Sequence, residues 1–174
     1  MNKTNGLTLI EVMVALVIAS ILLFSAPSFV NIIKNSEQTS HANSLLFALT
    51  NARDESIKRN SPVSVCQSED GLECTDSGWD NGWIVFVDQN DPGSVDGDDT
   101  VLQVFGGMYE EASLTSDNFP DFITYLSDGT SDASGNFVMC DDRGADHALA
   151  LCISATGRAN VSHTNCAGGA IECL

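Results

Sequence analysis

Between positions 7 and 24 the chain carries one charged residue, Glu11, set in Leu7-Thr8-Leu9-Ile10-Glu11-Val12-Met13-Val14-Ala15-Leu16 and the apolar residues that follow. A carboxylate in such a run costs on the order of 2.5–3.5 kcal/mol at the centre of a membrane helix, and less near its end. Glu11 therefore calls for a partner. Six cysteines stand at 66, 74, 140, 152, 166 and 173, and none forms a Cys-x-x-Cys pair. An even count without metal-type spacing points to disulfides in an oxidising compartment and not to a zinc site. The run 88–99 gathers Asp88, Asp91, Asp96 and Asp98 with flexible glycines, which is donor chemistry suited to calcium. Pro92 stands where a fifth-position ligand belongs and no Glu stands at the twelfth, so a solvated hairpin loop fits these residues better than a metal site.

His41, His147 and His163 are the candidates for acid–base work, but no Gly-x-Ser-x-Gly, His-Glu-x-x-His or phosphate-cradling glycine loop accompanies them. No catalytic residue and no cofactor is expected. The formal net charge is −17, and it is unevenly spread: Lys34, Arg53, Lys58 and Arg59 precede Asn60, while only Arg143 and Arg158 follow it. Binding to nucleic acid grows with the number of phosphates neutralised. The acidic part after Asn60 is therefore expected to repel nucleic acid and anionic membrane surfaces.

The elements that must position these residues begin with the apolar run 7–24, long enough to span or nearly span a bilayer as a helix. A secretory signal would need an Ala-x-Ala-like cleavage site, and Phe24-Ser25-Ala26-Pro27 is a poor one; the apolar segment stays on the chain. Pro27 bends the helix without ending it. Beyond it Phe29, Ile32, Ile33, Ala42, Leu45, Leu46, Leu49, Ala52 and Ile57 fall largely at spacings of three and four, an amphipathic continuation. Asn60-Ser61-Pro62 ends the helix, because the residue before a proline avoids the helical region.

Short strand signals follow at 63–66, 83–87, 100–105, 122–126, 136–140, 148–154 and 159–162, separated by Gly, Asp, Ser and Asn. The expected fold is α+β: a long N-terminal helix, membrane-embedded in its first half, packed against a small antiparallel sheet that covers the apolar stripe of its second half. The expected division is 1–6 leader, 7–27 transmembrane half-helix, 28–60 amphipathic half-helix and 61–174 sheet domain with disulfides. Cys66 with Cys74 is the expected first bridge. Cys166 with Cys173 would close the glycine-containing tail. Cys140 with Cys152 is harder, since a tight turn near Arg143-Gly144 would place Cys140 opposite Ala148.

Gly6 followed by Leu7-Thr8-Leu9-Ile10-Glu11-Val12 resembles the prepilin signature of type IV pilins and type II secretion pseudopilins, with Leu7 where that family usually has Phe. The resemblance implies cleavage after Gly6 by a prepilin peptidase, methylation of the new N-terminus at Leu7, and pairing of Glu11 with the positive N-terminus of a neighbouring subunit. Trp79-Asp80-Asn81-Gly82-Trp83 through Asp88, the acidic loop, Val101-Leu102, Phe122 to Tyr125, and Ile153-Ser154 before Thr156-Gly157-Arg158 together look like the GspH/FimT group of minor pilins and pseudopilins. DNA-uptake members of that group carry a Gly-Arg-x-Arg patch. Here Asn160 fills its last position, and Arg158 is expected to pair with a nearby carboxylate in a turn.

The resemblance implies a pilin-like structural subunit of a type IV pilus or a type II secretion pseudopilus, anchored once in the inner membrane with its globular part in the periplasm and reaching the filament tip after assembly. Its partners would be other pilin or pseudopilin subunits, the prepilin peptidase and the inner membrane, with no nucleic acid. A DNA-binding competence pilin and a membrane-anchored periplasmic binding domain are the alternatives.

Overall fold

Helix α1 spans Leu9–Arg59 in the computed structural model, which describes residues 8–173 without the side chains of 23–28. The helix opens on Thr8, whose hydroxyl accepts the Glu11 backbone N–H at 3.4 Å. Thr8 thus takes the N-cap position with Glu11 three residues on, the Thr-x-x-Glu spacing of a capping box, a signature written in the sequence. The helix does not stop at Pro27. It ends as expected at Asn60, which takes a left-handed φ of 52°. The N–H of Asn60 closes on the Ile57 carbonyl and that of Ser61 on the Ser56 carbonyl, the paired bonds of a Schellman motif.

The chain falls into two compact units, divided between Glu37 and Gln38. In the first, the helix shows apolar side chains around its whole circumference: Leu9, Ile10, Met13, Leu16, Val17, Ile21 and Leu22 are all more than half exposed. Phe29, Ile32 and Ile33, expected beneath the sheet, are also exposed. Burial on the helix begins at Gln38.

The second unit carries eight strands in two antiparallel sheets, not one. Strands β1 (Val63–Gln67), β2 (Gly82–Val87), β3 (Thr100–Gly106) and β5 (Phe122–Tyr125) form the first in the order β3-β2-β1-β5. Strands β4 (Ala112–Ser116), β6 (Gly135–Asp141), β7 (Leu149–Ile153) and β8 (Ala159–Ser162) form the second in the order β4-β6-β7-β8. All seven expected strands are present. The eighth, β4, is the run Ala-Ser-Leu-Thr-Ser, whose only large apolar side chain is Leu114.

Alternation sorts each strand between two faces. Val63, Val65, Trp83, Val85, Ile123 and Tyr125 from the first sheet meet Leu114, Phe137, Met139, Leu149, Leu151 and Ile153 from the second around Ala42, Leu45, Ala48, Leu49 and Ala52 of the helix. Leu45 and Leu49 are fully buried, each worth about 1.5–3 kcal/mol. Small residues at 42, 48 and 52 let the sheets approach the helix backbone. Trp79 meets Phe137 edge-on at 4.8 Å and donates its indole N–H to the Phe119 carbonyl at 2.9 Å.

Beside this core, Gln38 reaches from the helix to β6, donating to the Met139 carbonyl at 3.3 Å and accepting from Arg143 at 3.4 Å. Arg143 in turn forks onto Asp141, with Nη2 to Oδ2 at 2.6 Å. Burial pushes the Asp141 carboxyl up, but the hydrogen bonds and charge of Arg143 more than offset this, and its pKa lies below the ordinary value. A depressed carboxyl stabilises the fold above its unfolded pKa, and that contribution is lost as pH falls through the folded value. Stability is therefore expected to drop below about pH 4. In urea titrations across acid pH, Asp141→Asn flattens that limb while lowering stability at neutral pH; an unchanged acid limb would remove Asp141 as its source.

Candidate functional site

Gly6 and Leu7, the expected processing residues, lie outside the described residues. Glu11 lies in the first turn of α1 and is exposed, surrounded by exposed apolar side chains and held at the helix end that favours negative charge. Among the described residues no helix is long and apolar enough to cross a membrane. The expected span 7–24 includes Leu7 and the side chains of Leu23 and Phe24, none of them described. What remains is shorter than the ~20 residues a spanning helix needs.

The acidic loop 88–99 departs from a freely solvated hairpin. Asp88 is buried, accepting the Ser64 hydroxyl at 2.6 Å and the Gly93 N–H at 2.9 Å, while Val95 packs on Cys66, Ile84 and Phe86, the outer face of the first sheet. Burial raises the pKa of Asp88, against the hydrogen bonds that lower it. Asp98 accepts from Asn90, and its N–H donates to Asp96. Asp88, Asp91, Asp96 and Asp98 do not converge: among the described residues no group of three or more acidic, His or Cys side chains could hold a metal ion. One physical reason is that Asp88 is turned inward onto Ser64 of β1, while Asp96 accepts the loop's own Asp98 N–H and Asp98 the Asn90 side chain. His41 is half-buried beside Tyr109, with ring centroids 6.1 Å apart. His147 and His163 are exposed.

The cysteines form three bridges. Cys66 joins Cys74 as expected, but Cys140 joins Cys173 and Cys152 joins Cys166, correcting the pairs Cys166–Cys173 and Cys140–Cys152. The β6–β7 register, with Met139 opposite Leu149, puts Cys140 level with Ala148 and away from Cys152. Both cysteines point to the outer face of the second sheet, where the tail beyond β8 crosses over them. Ile171 is buried there against Cys140, Ala148 and Ala150. A cleft of about 330 Å³ lies under the tail, lined among others by Asp117, Asn136, Asn165 and Glu172.

Arg158 sits in the turn between β7 and β8, where its backbone N–H donates to Ser154 Oγ at 3.3 Å. Among the described residues it has no carboxylate partner, contrary to expectation, whereas Lys58 and Arg59 pair with Glu55 and Arg143 with Asp141. Instead Arg158 lines a cleft of about 140 Å³ with Thr50, Arg53, Gly157 and Ala159. Arg53 donates from Nε to the Gly129 carbonyl at 2.8 Å.

A model of the type II transport protein GspH family matches residues 41–157. The chain belongs to the GspH family. A model of the prokaryotic N-terminal methylation motif matches residues 1–26 of this GspH-family chain. Its fold is similar to that of the type IV minor pilin FimU of Pseudomonas aeruginosa, at 21% identity and TM-score 0.60 over 74% of this chain and 90% of that one. It is also similar to the minor pseudopilin EpsH of the Vibrio cholerae Type 2 Secretion System, at 12% identity and TM-score 0.51 over 72% and 96% of the two chains. No curated protein sequence matches it significantly. Together the family and the N-terminal motif make this GspH-family chain a minor pilin-like subunit of a type IV pilus or a type II secretion pseudopilus. The family match ends at Gly157, so Arg158 and the strapped tail lie beyond it.

Two features escaped sequence reasoning. The Thr8-x-x-Glu11 capping box was open to view and gives Glu11 a place in local helix geometry. The meeting of Arg53 with Arg158 at one cleft carried no sequence signal, because the two residues lie on α1 and on the last hairpin, which meet at Gly129 and Gly157.

Proposed function

We propose that the chain is inserted in the inner membrane through residues 7–24 of a transmembrane half-helix, 7–27, cut after Gly6 by the prepilin peptidase and methylated at Leu7. The amphipathic half-helix 28–60 and the sheet domain 61–174 face the periplasm, and the subunit is carried to the filament tip. Its work is packing against other pilin or pseudopilin subunits and not catalysis. The observation that carries this reading is the helix from Leu9 to Ile33, apolar and exposed on every described side. A helix of that kind belongs in lipid or in a bundle of its own kind. Glu11 is the one charge in its first turn, and it pairs with the positive N-terminus of a neighbour once both are in the filament. The acidic sheet domain keeps nucleic acid away.

Mass spectrometry of the membrane-extracted chain tests the processing: the mature protein starts at a methylated Leu7. An intact Met1, or a cut near Ala26, overturns the reading. Two variants separate the roles of Glu11. Glu11→Gln keeps the capping box, which accepts Glu or Gln, and removes the charge; Glu11→Ala removes both. Both leave a stable, membrane-inserted chain that enters sheared filaments at least ~10-fold less than wild type, because pairing of buried opposite charges is worth more than about 1.5 kcal/mol. Normal entry of Glu11→Gln would assign Glu11 to capping and end the pairing role.

A further inference from the structure

In a chain of 24 acidic and 7 basic residues, an arginine without a carboxylate is an anomaly, and this fold places two of them side by side. Lys58, Arg59 and Arg143 each sit on an acidic side chain. Among the described residues Arg53 and Arg158 do not, although the domain offers carboxylates in excess. They line one cleft of about 140 Å³ with Thr50, Gly157 and Ala159, and no Asp or Glu lines it. Its floor is built tightly. Arg53 is fixed by its Nε bond to the Gly129 carbonyl at 2.8 Å, which leaves the outer two nitrogens of the guanidinium to a visitor. Gly157 passes so close that a Cβ there would lie 3.0 Å from Arg53 Nε.

We infer that the Arg53–Arg158 cleft receives a carboxylate, the side chain of an Asp or Glu of a neighbouring filament subunit. A guanidinium presents a planar fork that matches a carboxylate in two parallel hydrogen bonds, and two forks at one cleft hold one carboxylate from two sides. Size and charge argue for a single side chain over a polyanion. A nucleic-acid strand would have to run its phosphates past an acidic surface within a Debye length, about 8 Å, whereas an Asp or Glu on a protein surface brings its one charge directly to the cleft. Thr50 lies on the exposed face of α1 at the rim of the cleft, within reach of whatever enters it.

The inference rests on the subunit reading above, and its test keeps the two apart. A photo-crosslinking residue is placed at Thr50 in the full-length chain, coexpressed with its filament subunits in membranes. A second version carries the crosslinker at Leu16, on the apolar helix, and reports incorporation alone. The Thr50 crosslink maps to an Asp- or Glu-containing peptide of another subunit. Arg158→Gln lowers its yield about 10-fold or more, Arg158→Glu abolishes it, and Arg158→Lys, which keeps charge without the fork, falls between. Arg158 is exposed, and among the described residues its side chain makes no hydrogen bond or ion pair, so these variants fold. A Leu16 crosslink that persists while the Thr50 crosslink is absent, or is indifferent to Arg158→Gln, overturns the cleft and leaves the subunit reading intact. Loss of both crosslinks overturns both. Mobility shift of duplex DNA at physiological salt that disappears in Arg158→Gln overturns the carboxylate assignment in favour of nucleic acid.

Discussion

Replacing all four tail cysteines by Ser, Cys140 and Cys173 with Cys152 and Cys166, lowers the stability of the sheet domain by about 6 kcal/mol on the loop-closure account. The bridges span 33 and 14 residues and are nested. The inner one shortens the loop that the outer one closes, which brings each contribution to about 3 kcal/mol. A loss of that size approaches the whole stability of an ordinary domain, about 5–15 kcal/mol. The tail is the only cover of the second sheet's outer strip among the described residues, and Ile171 gives it a single deep anchor. Without the bridges one buried side chain cannot hold it. Removing Cys66–Cys74, which closes 8 residues, costs less, about 2.5 kcal/mol. Urea denaturation of the full-length chain in detergent, followed by the fluorescence of buried Trp79 and Trp83, measures all three. A tail variant as stable as wild type would mean that packing, not cross-linking, holds the tail.

The second large effect is expected at Gly157. Its φ is +74°, in the left-handed region, and a Cβ there would come under 3.0 Å from the carbonyl oxygen of Gly129. Backbone cannot swing aside as a flexible side chain can. That same oxygen accepts the Arg53 bond at 2.8 Å, and Gly129 itself is packed under Ile57, so the clash spreads to α1. Gly144 is the internal control, with φ of +80° and nothing within 4 Å of its would-be Cβ. Gly144→Ala carries only the left-handed penalty, about 1–2 kcal/mol. Gly157→Ala adds an overpacking cost of about 1–3 kcal/mol, and it also loosens the Arg53–Arg158 cleft. The difference between the two variants in urea titration isolates the contact. Equal losses would show that the junction yields without cost.

This junction also explains why a site on the last hairpin is tied to the helix at all. Arg53 lies one turn from Ile57 on α1, and both reach the β5–β6 loop at Gly129. The helix around Arg53 and Ile57, that loop and the β7–β8 turn are therefore one packed unit.

Much of the architecture was determined by the sequence alone, because it rests on local physics. The helix end was written in Asn60-Ser61-Pro62, where a proline and a residue tolerant of positive φ leave one outcome. Seven strands were legible because each combines β-branched or aromatic residues with turn residues at its ends. Cys66 and Cys74 are close enough in sequence that a short loop nearly dictates their bridge. Glu11 stood out as the one charge in the apolar run 7–24. Tertiary structure decided what depends on which face meets which. Ala-Ser-Leu-Thr-Ser becomes β4 only because β6 offers it an edge and Leu114 a core. The split into two sheets, the covering of one outer face by the acidic loop and of the other by the tail, and the exchange of cysteine partners all follow from register: Cys140 and Cys152 sit on one face but out of step, so each reaches the tail instead. The cleft of Arg53 and Arg158 is the extreme case, since two residues 105 apart in sequence become neighbours through a glycine contact that no periodicity or spacing encodes.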